Sequence, residues 1–190
     1  MTIVWVTFAC CVLLSFPILQ KPCDYLLELN DYLQPKVYEG RLNAEPFTFA
    51  IVASRWNEFI SNRLVEGAVD GLERLGAIEE RVSVYRVPGA FEIPLLALSL
   101  AQSEKFDAVI CLGTIIRGQT PHFEYIANEV ARGIADAAME SGLPVVFGIV
   151  TADTVDQAID RAGVKLGNKG FEAAMTAVEL ANLYKDTFKD

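Results

Sequence analysis

The sequence predicts an α/β fold: a parallel sheet of four strands, wound right-handedly and covered by helices on both faces. Short apolar runs of strand length recur four times along the chain, and each leads into a segment with apolar residues at helical spacing. At 190 residues and 52% apolar composition, the chain can bury one substantial core. No internal repeat breaks the alternation, and no linker is long enough to separate two domains.

The first strand is Phe47–Ala53, and a helix from about Asn57 to Leu75 comes next. Ile60, Leu64, Ala68, Leu72 and Leu75 line one face of that helix, and Gly76 stops it. A second strand, Val82–Val87, leads through Pro88-Gly89 into a helix carrying Ile93, Leu96, Ala97 and Leu100. The third strand is the run Ala108–Leu112, wholly apolar as a strand buried on both faces must be. After it comes a strand-to-helix turn, within Gly113 to Tyr125, and a helix with Ile126, Val130, Ile134 and Ala137 on one side. Thr120 reads as the N-cap and Pro121 as the first helical residue. The fourth strand, Val145–Val150, precedes a helix starting near Asp153, within which Arg161 and Lys165 would lie one turn apart. Gly163, Gly167 and Gly170 interrupt the segment after it, and a last amphipathic helix runs to about Tyr184.

The N-terminal segment does not fit this pattern. Ile3 to Leu14 is nearly continuous apolar sequence, short for a membrane span. No Lys or Arg precedes it and no small-x-small cleavage site succeeds it, unlike a secretory signal. It reads as a weak signal or anchor, as an apolar arm packed on a partner subunit, or as an extension upstream of the natural start. The missing signal features favour the last, and with it a cytoplasmic protein. Residues 1–35 are thus expected to be an extension, and 36–190 the domain proper.

Composition excludes several roles. The formal net charge of −9, with no basic tract, argues against nucleic acid as a partner. Cys10, Cys11, Cys23 and Cys111 lack metal-ligand spacing, and with a single histidine no structural zinc site is supported. Gly113 to Gly118 has the glycine spacing of a P-loop, but Gln119 stands where the lysine belongs. No G-x-G-x-x-G comes after any strand, and no acidic cluster stands at the strand ends.

Open α/β sheets bind ligands beyond the carboxyl ends of their strands, so those ends are where chemistry is expected. After the first strand, Trp56 can stack on a planar heterocycle or act as an aromatic lid on the core. After the second, Pro88-Gly89 permits close ligand approach, and Glu92 can accept hydrogen bonds from hydroxyl groups or serve as a helix-dipole partner. After the third come Arg117, Thr120 and His122, the only histidine. At a helix start the unpaired N–H groups disfavour an imidazolium, so a neutral, proton-transferring ring is expected there. After the fourth, Thr151-Ala152-Asp153-Thr154 caps a helix, and Arg161 and Lys165 are either a phosphate site or solvated charges.

Five segments together are recognisable: Ala53–Asn57, Val87–Pro94, Gly113–Tyr125, Phe147–Thr151, and Ala158–Gly163 through Gly167–Gly170. In order and spacing they closely resemble the lumazine synthase family, the penultimate enzyme of riboflavin biosynthesis. The resemblance runs from about Val37 to Lys185. It implies a flavodoxin-like three-layer sandwich around a central four-stranded parallel sheet, extended by a strand near Lys36 to Leu42 exchanged between subunits. It also implies a condensation that needs no cofactor or metal, joining 5-amino-6-(ribitylamino)uracil to 3,4-dihydroxy-2-butanone 4-phosphate. By similarity, Trp56 would stack on the pyrimidine, where many members carry Phe. Ala90, Phe91 and Glu92 would hold the ribityl-uracil, and Thr114, Ile115 and Ile116 the pyrimidine edge. Gln119, Thr120 and Arg161 would meet the phosphate-bearing substrate, and His122 would move protons. Phe147 resembles the position at which a neighbouring subunit closes the pocket, and Lys169 can reach the ring or phosphate. The resemblance further implies a pentamer, and the compact Gly167–Gly170 link resembles that of members that build a 60-subunit icosahedral shell. Riboflavin synthase is then a candidate cargo. A non-catalytic shell or ligand carrier is the rival reading, and the joint presence of His122, Glu92 and Arg161 speaks against it.

Overall fold

The structure, a computed structural model, describes residues 35–188. The chain divides at Val37/Tyr38 into two units, and every strand and helix described lies in the second. The N-terminal apolar run falls outside the described residues.

In chain order the elements are β1 (Phe49–Ser54), α1 (Glu58–Arg74), β2 (Val82–Val87), α2 (Ile93–Ala101) and β3 (Ala108–Ile116). Beyond these lie α3 (His122–Ser141), β4 (Val145–Ala152), α4 (Val155–Asp160) and α5 (Lys169–Phe188). The strands form one sheet in the order β2-β1-β3-β4, all parallel, as expected. Phe49 sits opposite both Val82 and Ala108, and Val109 opposite Val145.

Period-two alternation sorts the central strands between two cores. Phe49, Ile51 and Ala53 of β1, with Ile110 and Leu112 of β3, pack under α1 and α5 through Leu64, Ala68, Leu72, Ala174 and Val178. Ala50, Val52, Val109 and Cys111 face the other way and meet Ile93 and Ala97 of α2 and Val130 and Ile134 of α3. All six residues of β1 are buried, which is why its sequence shows no polar alternation.

Three local expectations need correction. The segment Gly113–Ile116 is strand, not turn, because it pairs with Ile149–Ala152 of β4. Gly113 is there for space: a Cβ would lie 3.0 Å from Ser54 Oγ and 3.2 Å from Ile93 Cδ1. Helix α4 ends at Asp160, so Arg161 is its C-cap and Lys165 lies beyond it. The chain reverses through Gly163 (φ 104°) and Gly167 (φ 78°), left-handed conformations that glycine adopts without strain. Gly170, expected as a breaker, lies inside α5, where it lets two helix backbones touch.

Cys111 is fully buried in β3, and burial pushes its thiol well above the ordinary range. An unfolded cysteine ionises above about pH 8.5, whereas the folded thiol keeps its proton. The unfolded state therefore binds fewer protons at alkaline pH, and stability falls as pH rises, by up to about 1.4 kcal/mol per unit. Denaturation of Cys111→Ala across pH 8 to 10 should show a shallower decline than the parent. Equal slopes would mean that the buried thiol is not held neutral.

Candidate active site

The strand order sets where a crevice opens. The chain runs from β1 outward to β2, then returns to place β3 on the other side of β1. Helix α1 leaves β1 over one face of the sheet and α3 leaves β3 over the other, so the carboxyl ends of β1 and β3 are not covered by a connecting segment. A cleft of about 660 Å³ lies at that switch point.

Each wall comes from a strand end. From β1 come Trp56 and Asn57; from the segment after β2, Pro88 to Glu92; from β3, Thr114, Ile115 and Ile116. Gly118, Thr120, His122, Phe123 and Ile126 complete the lining. Of the expected site residues, Trp56, Ala90, Phe91, Glu92, Thr114, Ile115, Ile116, Thr120 and His122 thus converge in one hollow. Gln119 lies in the turn before His122 but does not line it. Phe147, Arg161 and Lys169 also stand apart, because they lie on or after β4, the sheet edge opposite β2.

Asn57, one residue after Trp56, is a wall residue that the sequence does not single out. Its backbone is left-handed (φ 56°), and its side chain, instead of capping α1, donates from Nδ2 to the Thr114 carbonyl at 2.9 Å. That bond joins the ends of β1 and β3 across the floor of the cleft. Thr114 is itself buried, and its hydroxyl has no hydrogen-bond partner among the described residues. Trp56 is 75% exposed and Phe91 57% exposed, so both aromatic faces are open on the single chain. The lid reading of Trp56 therefore fails, since a core lid would be covered.

One oxygen of Glu92 is engaged by its own turn. Oε2 accepts the Gly89 N–H at 2.9 Å, closing the short 3-10 turn Ala90–Glu92. The other oxygen makes no hydrogen bond among the described residues and remains available to a ligand. His122 is the first residue of α3, with Pro121 and not Thr120 in the cap position. The Thr120 side chain makes no cap bond; Pro121, with no N–H and a fixed φ, starts the helix, and its carbonyl accepts from Glu124 at 3.0 Å. The imidazole is exposed and bonded to no described residue.

Beside it, Arg117 donates from Nε to Asp153 at 2.7 Å and from a terminal nitrogen to Glu124 at 3.0 Å. These carboxylates, Asp153 first, hold its guanidinium firmly charged. Farther off, Arg161 bonds the Gln157 carbonyl at 3.1 Å, and Lys169 pairs with Glu172. The Lys169 N–H donates to the Arg161 carbonyl at 3.0 Å, so the two cations share one turn.

Residues 46–185 match the model of the 6,7-dimethyl-8-ribityllumazine synthase family. The chain belongs to this family. Among curated relatives, the 6,7-dimethyl-8-ribityllumazine synthase of Syntrophus aciditrophicus (strain SB) is 56% identical over 151 residues, covering 80% of this chain and 98% of the relative. The matched span holds all four strands and every residue lining the cleft, and it leaves the N-terminal run outside.

Proposed function

We propose that the chain condenses 5-amino-6-(ribitylamino)uracil with 3,4-dihydroxy-2-butanone 4-phosphate, forming 6,7-dimethyl-8-ribityllumazine and releasing phosphate and water. The observation that carries this reading is the meeting of an open indole, a carboxylate with a free oxygen, strand-end peptide groups and the only imidazole in one cleft. Trp56 stacks on the pyrimidine, Glu92 accepts from ribityl hydroxyls, and Ala90 and Phe91 flank that chain. Thr114, Ile115 and Ile116 meet the pyrimidine edge. The substrates bring their own nucleophilic amine and leaving group, so orientation does much of the work. His122 carries protons between amine, carbinolamine and departing phosphate, and no cofactor is required.

Gln119, Thr120 and Arg161 take the phosphate. Arg161, Lys169 and Phe147 lie outside the cleft of their own chain, which supports a site completed by a neighbouring subunit of a pentamer. The exposed faces of Trp56 and Phe91 are the surfaces such a neighbour would cover. Within the chain, residues 35–42 form no strand, and Val37, Tyr38 and Leu42 are exposed, which suits a segment adding to another subunit's sheet. The working domain is then residues 36–190, in a cytoplasmic enzyme that assembles as a pentamer or a 60-subunit shell able to hold riboflavin synthase. Among the described residues no helix is long and apolar enough to cross a membrane. Light scattering at two ionic strengths separates pentamer from shell.

Absorbance of the lumazine product on mixing both substrates tests the activity directly. Binding of either substrate without product would instead favour a ligand carrier. Arg161→Ala should raise the apparent KM for the butanone phosphate at least about tenfold, as loss of a charge-assisted phosphate contact implies. The KM for the uracil should change little. Equal effects on both substrates would remove Arg161 from the phosphate role.

A further inference from the structure

The turn that delivers His122 is unusually free. Gly118, Gln119 and Thr120 form no hydrogen bond with any described residue, and a Cβ at Gly118 would meet nothing within 4 Å. What ties this turn to the rest of the fold is the residue at its start. The Arg117 N–H donates to the Ala152 carbonyl at 2.9 Å, at the carboxyl end of β4. Its guanidinium then serves two carboxylates from different elements: Asp153, just after β4, and Glu124, in the first turn of α3. The same group lies 4.4 Å from the centre of the Phe123 ring, which lines the cleft beside His122.

From this geometry we propose that Arg117 is a positioning residue for the His122 turn, acting as a strut between β4 and the start of α3. The proposal rests on the functional reading above and adds a residue that touches no substrate, since neither Arg117 nor Asp153 lines the cleft. The chemistry of the side chain fits the task. A guanidinium is a planar fork of five donors and can hold two carboxylates and a ring at once; an ammonium is a point charge and cannot keep that geometry. Exposed ion pairs add little to global stability. Local opening of a loop, however, is governed by its own few contacts, so the strut acts on the population of the ordered turn and not on the fold.

Backbone amide exchange on the full-length protein and a kinetic double-mutant cycle test this together. Arg117→Ala should speed exchange about fivefold or more at the two hydrogen-bonded amides that flank the turn, that of residue 117 to the Ala152 carbonyl and that of Glu124 to the Pro121 carbonyl, while amides of β1 and α5 exchange as before. It should lower kcat about tenfold with the KM for the uracil within twofold of the parent. Asp153→Asn should act in the same direction, and the double variant should be no worse than Arg117→Ala alone, because both changes remove one strut. Arg117→Lys should recover only part of the loss, and it provides the exchange measurement if Arg117→Ala does not fold. Unchanged exchange at residues 117 and 124, a uniform rise throughout the protein, or multiplying effects in the double variant would each overturn the proposal. If the parent makes no lumazine at all, the functional reading fails on its own, and the exchange data alone decide whether Arg117 orders the turn.

Discussion

Replacing His122 by Ala should lower turnover by about 10²- to 10⁴-fold, the usual share of a positioned proton carrier, without abolishing it. The cleft retains the Trp56 face, the Glu92 carboxylate and the β3 peptide edge in the variant, and these orient substrates that already contain amine and leaving group. Residual rate should therefore stand well above that of the free reactants, with both KM values little altered. Single-turnover absorbance on folded, assembled protein measures this. Complete loss of product there would mean that orientation contributes far less than the cleft suggests.

The largest expected effect on stability lies outside the cleft. Gly170 is in the first turn of α5, and a Cβ there would stand 1.8 Å from the Leu64 carbonyl oxygen and 2.7 Å from its carbon. The obstacle is backbone, so neither a rotamer change nor a small side-chain shift relieves it. A Cβ at Gly71 would likewise meet Ala174 and Phe171 along the same seam, at 3.2 Å each. Asn168 closes the seam by donating to the Arg63 carbonyl at 2.8 Å and accepting from the Gly170 N–H at 2.8 Å. Gly170→Ala must part the helices or unwind the start of α5, at a cost of about 3 kcal/mol or more. For a chain of this size, that corresponds to a fall in Tm of about 6–12 °C. Gly118→Ala, in open space, should stay within about 0.5 kcal/mol of the parent. If the two variants melt alike, the helices do not touch at Gly170.

How far the site is legible differs from residue to residue. Trp56, Glu92 and His122 can be found because each comes after an apolar strand run, and the carboxyl ends of parallel strands share one side of the sheet. Phe123 and Ile126 carry a weaker signal, lying one and four residues after His122, within its first helical turns. Asn57 looks like an ordinary helix cap. Its actual partner, the Thr114 carbonyl, is 57 residues away, and no local rule points there. Arg117 is visible beside His122, but its service to Asp153 depends on β4 ending next to β3.

The glycines show the same division. Gly163 and Gly167 are breaks, as local conformational preference says. Gly113 and Gly170 resemble breaks in the sequence, yet they sit inside a strand and a helix, where a Cβ would crowd side chains at Gly113 and strike backbone at Gly170.

By itself the sequence determined the alternation of strands and helices, the parallel sheet buried on both faces, and which residues stand at the strand ends. Those features come from hydrophobic period and turn chemistry, which act over a few neighbouring residues. Only the tertiary structure decided how far β3 runs, where α4 stops, which glycines are spacers, and what holds Asn57 and Arg117. These are set by hydrogen bonds and contacts between segments distant in the chain, and such partners are chosen only when the sheet has assembled.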